Sequence, residues 1–170
     1  GVLEELGQQY LDPVQFILEK DKTSPVEVSI QAPSQHPDAV GTWQKITFTY
    51  QDGCKIILDA AGMDANAPFM SGSKGNLYAD FKSDLPELEK QLANYPDPPL
   101  AVTDFVKAVK ERQTFVTNEE NGHRSCTLVN LGKIALQLGR SLQFDPEKET
   151  FLFDEGANRL LNKPLRSTWK

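Results

Sequence analysis

The sequence predicts an α+β fold, an open, mostly antiparallel β-sheet with helices packed on one face. Three observations carry that expectation. Residues 26–32 alternate strictly, with Val26, Val28 and Ile30 on one face and Glu27, Ser29 and Gln31 on the other, the period-two signature of a half-buried strand. Two more alternating runs, Trp43 to Tyr50 and Cys54 to Ala60, meet at Asp52-Gly53. That dipeptide signals a hairpin, because a type I′ turn needs positive φ at both central residues. Beyond Asp84 the apolar spacing changes to three and four, so strands give way to helices and the two sets form layers.

Taken in order, the elements begin with a short helix over residues 12–20, with Asp12 as N-cap and Pro13 at the first helical position. Residues 33–41 are a loop by composition. A second hairpin is expected over residues 68–81, turning through Ser73-Lys74-Gly75, so residues 26–81 supply about five strands with one polar face. Asp84 and Glu87 resemble a capping box opening a helix over residues 85–94, broken by Tyr95-Pro96-Asp97-Pro98-Pro99. Val102, Phe105, Val106 and Val109 then mark an amphipathic helix. A longer helix runs from about Gly122 to Leu138 with Gly139 at its C-terminal cap. A last short helix starts at Asp154 and ends before Pro164.

Set out at about 100° per residue, the long helix is apolar except for a wedge holding His123, Cys126, Asn130, Lys133 and Gln137. It is therefore expected to be largely buried. Arg124 is the misfit, a cation within the apolar arc and in the first turn, where the helix dipole disfavours it. Such a residue needs a carboxylate partner, with Glu119 and Asp145 as candidates, or an anionic ligand. His123 reads as an exposed residue at the helix start or as a ligand contact.

Composition removes several classes of function. A chain of 170 residues with a net charge of −6 is one domain by length and lacks the basic face that phosphate neutralisation requires, so no nucleic acid is expected. No apolar run is long enough to span a membrane. Cys54 and Cys126 have no metal-ligand spacing and read as two small buried thiols. The compartment, cytoplasmic or periplasmic, stays open.

The second half carries an ordered set of short motifs. They are Gly122-His123-Arg124-Ser125, Leu131-Gly132-Lys133-Ile134-Ala135, Leu138-Gly139-Arg140-Ser141-Leu142, Phe144-Asp145-Pro146, Glu149-Thr150-Phe151 and Ala157-Asn158-Arg159-Leu160-Leu161, followed by Pro164, Arg166 and Trp169. Together with Thr23-Ser24-Pro25-Val26-Glu27 and the Gly72-Ser73-Lys74-Gly75 turn, this set resembles the bacterial-type C-terminal domain of the Gfo/Idh/MocA (glucose–fructose oxidoreductase, inositol dehydrogenase) superfamily. The resemblance runs over most of the chain.

It implies a substrate-binding and assembly domain over residues 1–170, working beside its own N-terminal Rossmann domain that holds NAD or NADP and acting on a sugar or cyclitol. The Gly-rich strand–turn–helix and the lysine of the family's Glu-Lys-Pro motif are not in this sequence. No cofactor is therefore expected on this chain, and alone it should transfer no hydride. Relatives carry Asp-x-Gly-x-His-x-x-Asp, whose counterpart here is Glu5-Leu6-Gly7-Gln8-Gln9-Tyr10-Leu11-Asp12. Gln9 stands where the proton-moving His is expected, and Gln can orient a hydroxyl but cannot take its proton. Gln9, Tyr10 and Asp12 are thus the catalytic candidates. Ala101 departs from another expected His.

For the substrate, the resemblance points to the sheet and its turns, hence to Trp43, Lys45, Lys74 and Tyr78, with His123 and Arg124 added from the long helix. A partly apolar outer sheet face would suit a homo-oligomer. Two other readings stay open, an NAD-dependent glycoside hydrolase of the same superfamily and a non-catalytic binding or scaffold protein.

Overall fold

The computed structural model describes residues 2–36, 41–60, 64, 66–78, 82–97 and 100–162. They fall into two compact units, Gly1–Ala61 with Thr117–Lys170, and Gly62–Val116. Parts of the expected loops and hairpin end (residues 37–40, 79–81, Pro98 and Pro99) and the tail from Lys163, with Pro164, Arg166 and Trp169, lie outside the described residues.

The first unit holds a five-stranded antiparallel sheet in the order β3-β2-β1-β6-β7. Its strands are β1 (Glu27–Gln31), β2 (Lys45–Thr49), β3 (Lys55–Asp59), β6 (Leu142–Asp145) and β7 (Thr150–Phe151). The register pairs Val28 with Phe48 and Leu142, and Phe48 with Ile56. One face is thereby apolar and buried. The opposite face of β1–β3 carries Glu27, Ser29, Gln31, Lys45, Thr47, Thr49, Lys55 and Asp59, with Ile57 as its exposed apolar residue. The expected polar face is present, and on β1–β3 its apolar part is limited to Ile57.

Over the buried face lies α4 (Glu119–Leu138). Leu128, Leu131, Ile134, Ala135 and Leu136 are buried, while His123, Cys126, Asn130 and Gln137 are exposed, so the wedge is as the helical period predicts. Cys126 is therefore not the buried thiol that composition led us to expect. Close passage over the sheet is possible because Gly132 has no side chain. A Cβ there would meet Leu3 Cδ2 and Phe48 Cζ, each at 3.4 Å.

Packed on α4 is α1 (Val2–Ile17), and here the sequence-based expectation fails. The helix does not start at Asp12; Asp12 and Pro13 lie inside it. Leu3, Gly7, Leu11, Val14 and Leu18 recur every three or four residues, and burying that stripe outweighs the cost of an internal proline. Missing from the sequence reading as well were β6 and β7, whose short runs sit among helix signals. Their pairing is stabilised by an edge-to-face contact of Phe144 and Phe151, with ring centroids 5.4 Å apart. The small helix α5 (Glu155–Leu161) is capped by Asp154, which accepts from the Ala157 amide.

The β2–β3 hairpin stands where Asp52-Gly53 predicts it, but with another turn. Tyr50 and Cys54 are joined by a backbone hydrogen bond, and the Gly53 amide donates to the Tyr50 carbonyl. Among the loop residues Gly53 alone has positive φ. This is a three-residue loop, a type I turn closed by a left-handed glycine, rather than a two-residue type I′ turn.

The second unit contains the hairpin β4 (Met70–Gly72) and β5 (Gly75–Leu77), turning through Ser73-Lys74 as expected. It also holds α2 (Leu88–Ala93) and α3 (Phe105–Glu111). Asp84 does not form the expected capping box. Its carboxylate accepts from the Asn76 backbone amide and side chain, so α2 starts three residues late, after Glu87 in a left-handed conformation. The α3 stripe is also corrected: Phe105, Val106 and Val109 are exposed, Ala108 is the buried residue, and Val102 precedes the helix.

Candidate functional site

Two helix segments build a pocket that includes Gln9 and Asp12, two of the residues singled out in the sequence. From α1 come Gln8, Gln9 and Asp12, which share a side because they are spaced one, three and four apart. From the start of α4 come Thr117, Asn118, Asn121 and Gly122, and the open pocket has a volume of about 380 Å³. Asn118 is the N-cap, its Oδ1 accepting from the amides of Glu120 and Asn121, each at 3.1 Å. Across the helix pair, Gln8 Nε2 donates to the buried Ser125 Oγ at 3.3 Å, and that hydroxyl donates to the Asn121 carbonyl at 3.0 Å. Ser125 thus fixes one wall of the pocket to the other. Gly7 lets the helices meet, since a Cβ there would lie 3.3 Å from Val129 Cγ2.

Pro13 shapes the pocket through the backbone. It has no N–H to give to the carbonyl four residues earlier, which is that of Gln9. Gln9 therefore brings an amide side chain and a carbonyl without its helical partner to the same place. Asp12 is half-buried and takes part in no hydrogen bond or ion pair among the described residues. Tyr10, the third catalytic candidate, is exposed and does not line the pocket.

The other candidates are dispersed. Trp43 is half-buried against the core, just before β2. Lys45 pairs with Asp59 across β2 and β3, Nζ to Oδ2 3.3 Å. Lys74 and Tyr78 belong to the second unit, Lys74 at the exposed hairpin turn and Tyr78 with its hydroxyl 3.5 Å from Asp84 Oδ2. No described contact gathers these four into one site.

His123 and Arg124 are brought together, but by carboxylates. Glu149 Oε1 lies 2.6 Å from His123 Nε2 and 3.3 Å from Arg124 Nη1. Arg124 Nε also donates to Glu120 Oε1 at 2.7 Å, and Nη1 to Ser24 Oγ at 3.2 Å. The partners are thus Glu120 and Glu149, not the Glu119 or Asp145 expected from sequence. Beside this cluster an open groove of about 900 Å³ runs along α4, bounded by α5 and the β6–β7 turn.

Gln8, Thr117, Asn118 and Asn121 were not among the residues the sequence singled out. A usable signal existed: Asn118 followed by Glu119 and Glu120 is an N-cap with an acidic first turn, and it would have moved the start of α4 back to these side chains. Gly72–Gly75 joins β4 to β5 and opens no helix. It therefore offers no helix N-terminus to a pyrophosphate.

The antiparallel sheet with helices over one face and a two-helix polar pocket defines an α+β domain. Residues 1–170 match the family model described as oxidoreductase family, C-terminal alpha/beta domain. The chain belongs to that family, the C-terminal domain of the Gfo/Idh/MocA oxidoreductases. No curated protein and no solved structure matches it.

Proposed function

We propose that the chain is the substrate-binding and assembly domain of an NAD(P)-dependent oxidoreductase acting on a sugar or cyclitol, with the dinucleotide held by a Rossmann domain of the intact protein. One observation carries this reading: Gln9 and Asp12, at the positions of the family's His and Asp, line one pocket with Asn118 and Asn121. Amides and carboxylates arranged around a small cavity match a ring of hydroxyls, since each hydroxyl both donates and accepts. The chain's own contribution is to bind and orient. Gln9 can hold a hydroxyl but takes no proton from it.

The test is binding and turnover by the intact protein with NADH, NADPH and a panel of polyols and sugars. Dinucleotide binding and polyol-dependent reduction of NAD(P) are expected, and absence of dinucleotide binding would overturn the reading. Gln9 favours a second reading, a non-catalytic binding or scaffold protein. Dinucleotide and sugar binding without turnover, with turnover gained in Gln9→His, would support it.

A further inference from the structure

We infer that the Asp12 pocket selects a sugar or cyclitol carrying a protonated amine and rejects carboxylated or phosphorylated ones. This rests on the reading that the pocket receives the sugar or cyclitol. Among the described lining residues Asp12 is the only one with an ionisable side chain. The other six bring amides, a hydroxyl or no side chain, so nothing in the lining compensates a ligand anion.

Asp12 shares its state with Asp21 and Glu27, also half-buried and without a partner among the described contacts, but of the three it alone lines the pocket. Glu4 is paired with Lys133, Asp52 with Lys20, Asp154 with Arg140, and Glu120 and Glu149 with Arg124. Asp12 has no such partner among the described residues, although it is half-buried. A half-buried carboxylate without a donor gains most from a cation that brings its own hydrogen bonds.

The surroundings have the same sign. The nearest basic side chains in sequence on α4, His123 and Arg124, are held by Glu149 and Glu120. A helix N-terminus ordinarily attracts anions, but here Asn118 Oδ1 already accepts from two of the first free amides. Glu119 and Glu120 in the first turn oppose the remaining dipole. On α1, Glu5 stands one turn before Gln8 and Gln9. With Arg124 held by two carboxylates, Asp12, Glu5 and Glu119 favour an ammonium at this place and disfavour a carboxylate or phosphate.

The experiment is an NMR titration of the chain with D-glucosamine, D-glucose and D-glucuronate at a pH where the amine is protonated, with the galactose series in parallel. Glucosamine should bind roughly three- to tenfold more tightly than glucose, the range of one partly exposed charge-assisted contact. Glucuronate should bind more weakly than glucose. In Asp12→Asn the ratio of glucosamine to glucose affinity should fall to about one, as expected when the charge is lost and the shape kept. Equal binding of glucosamine and glucose by the unaltered chain, with shifts at Gln8 and Asn121, overturns the charge selection and leaves the sugar-binding reading intact. Tightest binding by glucuronate does the same. If none of the three moves pocket resonances, both readings fall.

Discussion

Glu19 and Gly139 close two helices by the same device. At the end of α1 the Lys20 amide donates to the Gln15 carbonyl and the Glu19 amide to that of Phe16; at the end of α4, Arg140 and Gly139 do the same to Ala135 and Leu136. Both closing residues are left-handed, at φ 55° and 66°, where glycine is unstrained and any other residue pays about 1 kcal/mol or more. The two sites should thus respond with opposite signs. Glu19→Gly is expected to stabilise by about 0.5–1 kcal/mol and Gly139→Ala to destabilise by about 1 kcal/mol. Urea unfolding with an unchanged slope checks both. Arg124 makes a different residue-scale case. Arg124→Met leaves Glu120 and Glu149 without their guanidinium and Ser24 without a donor, so a loss of about 1–2 kcal/mol is expected, discounted for the partial exposure of the carboxylates. An unchanged unfolding midpoint would return Arg124 to the ligand role that its position in the sequence also allowed.

At the scale of elements, the strands and α4 were legible because one periodic signal dominated each. Alternation set the faces of β1 to β3, and the near-continuous apolar arc of α4 together with Gly139 fixed its burial and its end. Where two signals competed, the local one misled. Asp12-Pro13 reads as a helix start, yet Leu3, Gly7 and Leu11 bury a stripe that runs upstream of it, and burial of those side chains outweighs a capping preference worth about 1 kcal/mol. Asp84 reads as a cap, but the hairpin takes its carboxylate. The same conflict hid half of the candidate site: Gln9 and Asp12 were found through a motif, whereas Asn118 and Asn121 come together with them only when α1 is a full helix lying on α4. Pro13 inside α1 lowers the stability of that helix. Pro13→Ala restores an N–H facing the Gln9 carbonyl and should raise stability by about 1–2 kcal/mol, less than the full cost of an internal proline because the unfolded chain also gains freedom. A lower denaturation midpoint in Pro13→Ala would show that the proline suits α1 as it is.

For the whole molecule, composition shows an acidic excess but not how it is arranged, because pairing depends on contacts between segments distant in sequence. Glu4 meets Lys133, Asp52 meets Lys20 and Asp154 meets Arg140. These contacts set the response of folding to pH. The Lys133 hydrogen bond holds Glu4 below its ordinary 4.5. Asp52 is held below 3.8 by Lys20, Asp84 by the Asn76 amide, Asp145 by the Lys148 amide, and Asp154 by the Ala157 amide and then Arg140. Each binds its proton more weakly folded than unfolded, so its contribution is present above the ordinary value and is lost as pH falls through the folded one. At the other end Tyr50 is raised above 10.0 by burial, and Lys20 above 10.5 by its hydrogen bond to Asp52. Their contributions are complete below those values and are lost as pH rises, because the unfolded chain releases the protons first. Urea midpoints measured from pH about 3 to pH about 11 should therefore show a plateau through neutrality, with one fall below about 4 and another above about 10. Tyr50→Phe should make the alkaline fall shallower and leave the acid fall in place, since it removes one titrating phenol and no carboxylate. Stability that peaks in acid, or an alkaline limb unmoved by Tyr50→Phe, would contradict this assignment of the titrating groups.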